Sequence, residues 1–194
     1  MIWHRLDRDK TIEMIGRVRS AAESVMFTPV TSEGKCTRLP FLQNFLLYRL
    51  TNFSSLPTFS MDFISNGEDF FYMDGADTAI QEMVRQNELN ITSETVLAYL
   101  HFYYCYVRLP EGEIILLKNV AEIPYIDLYD EERRESLDVV PEGLQIDRDE
   151  TTGEFLVSAP ALYDSSPMEV LIRVSPDGKV STFPKRMLTL ENIQ

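Results

Sequence analysis

The stretch from Ile91 to Leu117, ITSETVLAYLHFYYCYVRLPEGEIILL, constrains the fold of this chain more than any other. Four of the nine tyrosines (Tyr99, Tyr103, Tyr104, Tyr106) fall within eight residues, beside His101, Phe102 and Cys105. Thr92 is placed to cap a helix, with Ile91 and Val96 spaced as a hydrophobic staple across the cap. Glu94 suits the positive end of the helix dipole. These signals predict a helix from Ser93 to about Val107, although FYYCYV has strand-like propensity. Such a helix is aromatic around most of its circumference, so it belongs in a core, in a subunit interface or against a ligand pocket. Pro110-Glu111-Gly112 then makes a turn, and Glu113 to Lys118 reads as a short buried strand.

Upstream, Asp9 to Phe27 has apolar residues at helical spacing and predicts an amphipathic helix. Pro40 suits the first position of a second helix, read from Phe41 to Leu50 through its apolar run. From Thr58 the period changes to two: Phe59, Met61 and Phe63 alternate with polar residues, Asn66-Gly67 follows, and Phe70 to Met73 returns. That pattern predicts a hairpin with positive φ at both turn residues. Asp74 or Asp77 can cap a helix running to about Gln86, with Ile80, Met83 and Val84 inward. Downstream, Leu144 to Asp147 with Glu154 to Ser158, and Met168 to Val174 with Lys179 to Phe183, flank turn-forming segments and predict an antiparallel meander. The expectation is one α+β domain over residues 1–194, with N-terminal helices packed on an antiparallel sheet formed largely by C-terminal hairpins.

Composition narrows function by exclusion. The net charge is −13, from 31 acids and 18 bases, which disfavours a grip on nucleic-acid phosphates or an anionic membrane. No stretch reaches the ~18 apolar residues of a membrane span. The N-terminus has charges where a signal peptide would have its apolar region, and two cysteines are too few for a disulfide framework. A cytoplasmic location is expected. Charge is also uneven: residues 122–154 hold twelve acids and three bases. Within that stretch Asp130, Glu131, Glu132, Glu135 and Asp138 form a candidate acidic interaction face for a basic protein partner.

The chain has no GxxxxGK[ST], GxGxxG, HExxH, CxxC or GxSxG motif. His101 and Cys105, four apart, share a helical face and could act as base and thiolate or as half of a zinc site. A zinc site would have to recruit His4 and Cys36, which lack motif spacing, so no metal and no cofactor is expected. The carboxylate pairs Glu68-Asp69, Asp74 with Asp77, and Asp147 with Asp149 sit at turns and helix starts, where capping explains them. Candidate pocket residues are Tyr99, His101, Tyr103, Tyr104 and Cys105.

The runs LNITSETVLAYLHFYYCYVR and APALYDSSPMEVLIRVSPDGKV resemble short uncharacterised bacterial proteins of about this length, over about a third of the chain. The resemblance implies a single-domain bacterial protein and carries over no functional residue. The expected function is a non-catalytic protein-interaction or accessory, regulatory role with an acidic face. The alternative is a small-molecule-binding protein or enzyme with its pocket beside the aromatic helix. A homo-oligomer that buries the aromatic surplus is a third reading.

Overall fold

A computed structural model describes residues 2–18, 26–110, 112–117, 144–164 and 166–188. The chain forms two compact units, Met1–Asn90 and Ile91–Gln194. The described residues form three helices and two antiparallel sheets, an α+β fold as expected. No helix among them is long and apolar enough to cross a membrane.

The N-terminal unit is a sheet of sequential neighbours: β1 (His4–Arg5), β2 (Ser32–Arg38), β3 (Leu46–Asn52), β4 (Phe59–Ser65) and β5 (Phe70–Tyr72). Helix α1 (Arg8–Val18) starts where the Asp7 carboxylate accepts the Lys10 backbone N–H at 2.8 Å, an N-cap that satisfies one orphan donor. Its Met14, Ile15 and Val18 join Phe27, Leu50, Met61 and Phe63 in one buried cluster. Phe27, expected at the helix end, instead stacks on Phe59 with ring centroids 5.7 Å apart; residues 19–25 lie outside the described ones. Helix α2 (Thr78–Arg85) buries Ala79, Ile80 and Met83.

Gly34 packs directly against the entry to α1. The Leu6 backbone N–H donates to the Gly34 carbonyl at 2.9 Å. A Cβ at Gly34 would stand 2.9 Å from Leu6 Cδ1 and 3.2 Å from Thr11 Oγ1. Gly34→Val is therefore expected to cost about 1–3 kcal/mol of unfolding free energy through overpacking. Urea denaturation checks this; an unchanged midpoint would mean that Leu6 swings aside freely.

The helix expected over Phe41 to Leu50 is not formed. Phe41 to Asn44 instead zips to residues 88–90: Gln43 N–H donates to the Glu88 carbonyl at 3.2 Å, Asn90 N–H to that of Phe41 at 2.8 Å, and the Glu88 carboxylate accepts Asn44 N–H and Nδ2 at 2.8 and 2.9 Å. The chain then enters β3 between β2 and β4, where Leu47 and Leu50, on opposite faces, are both fully buried. A strand covered on both faces has no alternating pattern, and its apolar run reads like a buried helix. The β4–β5 hairpin forms as expected, but as a four-residue loop closed by the Ser65–Phe70 pair. Gly67 alone takes the positive φ, at 97°, while the Asn66 side chain accepts the N–H groups of Glu68 and Asp69 at 2.9 Å each.

The C-terminal unit contains α3 (Val96–Tyr106), β6 (Ile114–Leu116), β7 (Gln145–Arg148), β8 (Phe155–Tyr163), β9 (Ser166–Val174) and β10 (Val180–Met187). The sheet order is β10-β9-β8-β6, with β7 also paired to β8. One face buries Phe155, Val157, Ala159 and Ala161 of β8 with Val170, Ile172 and Val174 of β9. The expected turns carry the expected chemistry. Asp149 accepts the N–H groups of Thr151 and Thr152 at 2.7 and 3.1 Å, which holds its carboxyl below the usual range, and Gly153 takes φ 74°. Gly178, at φ 78°, closes the β9–β10 turn. Along β10 the register shifts between Pro184 and Arg186. Arg186 Nε and Lys185 Nζ both reach Glu169, at 2.6 and 3.4 Å, and Arg186 chiefly holds that carboxyl below the usual range.

Candidate functional site

The aromatic helix forms, but three residues later than expected: Thr95 rather than Thr92 stands at its N-cap, with no side-chain cap hydrogen bond. The Thr92 backbone N–H donates to Thr95 Oγ1 at 2.8 Å, while the Thr92 carbonyl accepts Thr95 and Val96 N–H at 3.0 and 2.8 Å. These bonds close a turn over residues 92–95 immediately before the helix. The strand-like FYYCYV follows helically because Tyr99, Leu100, Phe102 and Tyr103 all find burial. Ring contacts run along the helix: Tyr99 to Tyr103 at 6.0 Å, Tyr103 to Tyr104 at 6.1 Å edge-on, and Phe102 to Tyr106 at 4.8 Å between centroids.

The candidate pocket residues separate into two groups. Tyr99 is fully buried and its hydroxyl donates to the Gly178 carbonyl in the β9–β10 turn. The Tyr104 hydroxyl bonds Thr182 Oγ1 of β10 at 2.7 Å. Burial pushes the Tyr104 phenol well above its ordinary pKa, with Thr182 opposing in part and Tyr103 adding slightly. Tyr103 is buried beside them. His101 and Cys105, in contrast, are exposed. The buried Tyr99 and the part-buried Tyr104 thus tie the helix to the sheet through their hydroxyls, whereas His101 and Cys105 are exposed.

His4 and Cys36 emerge as cross-strand neighbours on β1 and β2, with Tyr48 opposite Cys36 on β3. Burial raises the Cys36 thiol, partly offset by Lys10, and burial with Cys36 nearby raises the Tyr48 phenol. Among the described residues no three His, Cys, Asp or Glu side chains gather to hold a metal. The residues of the expected acidic face, Asp130, Glu131, Glu132, Glu135 and Asp138, lie outside the described residues.

A surface that the sequence reading passed over lies at one end of the N-terminal sheet. The loops 26–31 and 53–58 are joined there: Phe53 N–H donates to the Thr31 carbonyl at 2.9 Å, and the buried Asn52 gives Nδ2 to the Met26 carbonyl at 2.6 Å. Asn52 Oδ1 accepts Ser54 N–H and Oγ at 2.8 Å each, so one side chain pins both loops. Met26, Val30, Phe53 and Leu56 project from this end, Leu56 with 99% of its surface exposed and Val30 with 84%. The segments MFTPVTS (26–32) and FSSLPTF (53–59) carry no charge, although a quarter of the chain is charged. Two uncharged, proline-containing stretches in an acidic chain were the available signal.

No family model, curated protein or solved structure matches this chain.

Proposed function

We propose that the protein is a non-catalytic interaction or accessory protein that acts in the cytoplasm on a basic protein partner. The observation that carries this reading is the pinned apolar end, Met26, Val30, Phe53 and Leu56, on an otherwise strongly acidic chain. Exposed apolar side chains on a rigid support are the usual anchors of a protein contact. The net charge of −13 supplies long-range attraction to a basic surface and repels nucleic acid. The pocket reading draws less support, because the hydroxyls of Tyr99 and Tyr104 already serve the fold.

The test is affinity capture from the source cells with the wild-type chain and with Phe53→Ser/Leu56→Ser. A basic protein is expected that the wild type retains at low salt, that added salt releases, and that the double variant holds at least about tenfold more weakly. Recovery of no salt-sensitive partner, or equal recovery by both baits, would overturn the proposal.

A further inference from the structure

The β4–β5 loop, Asn66-Gly67-Glu68-Asp69, brings together the parts of an intramolecular reaction. The chain has seven asparagines, and Asn66 alone is followed by glycine; Phe, Glu, Val or Ile follows the others. A glycine nitrogen has no side chain beside it to block attack on the preceding side-chain amide, and that attack closes a five-membered ring. Asn66 is exposed, and a Cβ at Gly67 would meet nothing within 4 Å. Asn66 Oδ1 accepts the N–H groups of Glu68 and Asp69 at 2.9 Å each. Those donors sit on the oxygen that gains negative charge when the amide carbon is attacked, and in enzymes one such donor is worth about 10²–10³ in rate. The Gly67 N–H donates to Ser65 Oγ at 2.9 Å, so the proton that must leave already rests on an acceptor. We infer that Asn66–Gly67 is a self-modification site, which deamidates through a cyclic imide and thereby loosens β5 from the N-terminal sheet.

The Gly67 nitrogen gives its proton to hydroxide and its electron pair to Asn66 Cγ. The Cγ–Nδ2 bond breaks, and the amide nitrogen leaves as ammonia with a proton from water, which regenerates the hydroxide. Water then opens the imide at either carbonyl. Breaking the new bond leaves an aspartate at position 66. Breaking the original peptide bond leaves an isoaspartate, in which the main chain runs through the former side chain. The isoaspartate adds one carbon to the backbone of a four-residue loop closed by the Ser65–Phe70 pair. It also draws the carboxylate one carbon back from the two N–H groups that Asn66 held. Either product puts a third carboxylate beside those of Glu68 and Asp69. Strand β5 has three residues and, among the described residues, pairs with β4 alone, so few bonds resist the change. Phe70, whose ring lies 5.7 Å from Tyr48 and 6.2 Å from Phe63, moves with the strand. Strand β4 runs from the 53–58 loop to this turn, so the site lies at the opposite end of the sheet from the apolar surface and stands without the partner reading.

Peptide mass spectrometry of the full-length protein held in mildly alkaline buffer, beside the urea-unfolded chain, tests the site, because exchanging the amide for a carboxyl adds about one mass unit. In the folded protein Asn66 is expected to convert at least about tenfold faster than Asn52. The Asn52 Oδ1 also accepts two donors, but that residue is buried and followed by Phe53. Gly67→Ala, for which there is room although φ of 97° disfavours it, is expected to slow conversion by at least about tenfold. Asn66→Gln would need a six-membered ring and is expected to stay unconverted. Melting temperatures show that both variants remain folded. After conversion, amide exchange is expected to quicken at Phe70 to Tyr72 and to stay unchanged across β9, and in Asn66→Gln the same incubation is expected to leave both unchanged. Conversion of Asn66 confined to the unfolded chain or absent from both, a rate that Gly67→Ala leaves unaltered, or equal exchange at β5 before and after conversion would overturn the inference.

Discussion

Phe63→Ala is expected to lower the stability of the N-terminal unit by about 3–5 kcal/mol. The Phe63 ring is fully buried, in one cluster with Met14, Ile15 and Val18 of α1. It also sits 6.2 Å edge-on from Phe70 and 5.5 Å from Tyr72. Truncation removes the transfer free energy of the ring and leaves a cavity that a sheet pinned by its own ladder cannot fully close. A domain margin of about 5–15 kcal/mol leaves little beyond such a loss. Urea unfolding, with amide exchange read across β2 to β5, measures the effect. Phe63→Leu should cost less, about 1.5 kcal/mol or under. A loss of under ~1 kcal/mol for the alanine variant would show that this cluster is not the core of the unit.

Tyr99 carries the second large effect, and its two variants separate packing from hydrogen bonding. Tyr99→Ala is expected to cost about 3–5 kcal/mol, as for other large aromatic truncations. Tyr99→Phe keeps the ring but leaves the buried Gly178 carbonyl without its donor, an expected cost of about 1–3 kcal/mol. Chemical denaturation gives both numbers, and near-ultraviolet circular dichroism reports whether the tyrosine environment has loosened. A neutral Tyr99→Phe would mean that the hydroxyl is not structural, and the pocket reading would gain at the expense of the interaction reading.

The parts of the fold legible in the sequence were those with local causes. The polar run Thr92 to Thr95 marked the start of α3 to within one turn, although Thr95 and not Thr92 takes the N-cap, because helix starts are decided by local chain. Asp149 to Gly153 and Ser175 to Gly178 announced the C-terminal hairpins because their turns need particular side chains and glycine at positive φ. The β3 strand was not legible, because Leu47 and Leu50 are buried on opposite faces and that coverage comes from distant segments. Strand β2 was hidden for another reason: its charged Glu33 and Lys35, paired at 3.0 Å and both part-buried, break up the apolar pattern, while Gly34 supplies no side chain to mark the opposite face.

The candidate site followed the same division. The helical periodicity put His101 and Cys105 on one face, as found, but could not say that the neighbouring phenols would be spent on Gly178 and Thr182, some eighty positions away. Nor could it bring residues 26–31 beside 53–58, since that meeting depends on the register of β2 against β3.

The last strand of the C-terminal sheet has a consequence for behaviour at high concentration. Among the described residues β10 is paired on one side only, and a bare strand edge is a template for adding further chains. Here Pro184 cannot donate to such a chain, the register break beside it bends the strand, and Lys185 and Arg186 place two cations along it. An incoming copy would meet a missing donor, a break in register and two cations already engaged by Glu169 within three residues, so lateral growth into fibres is disfavoured at this edge.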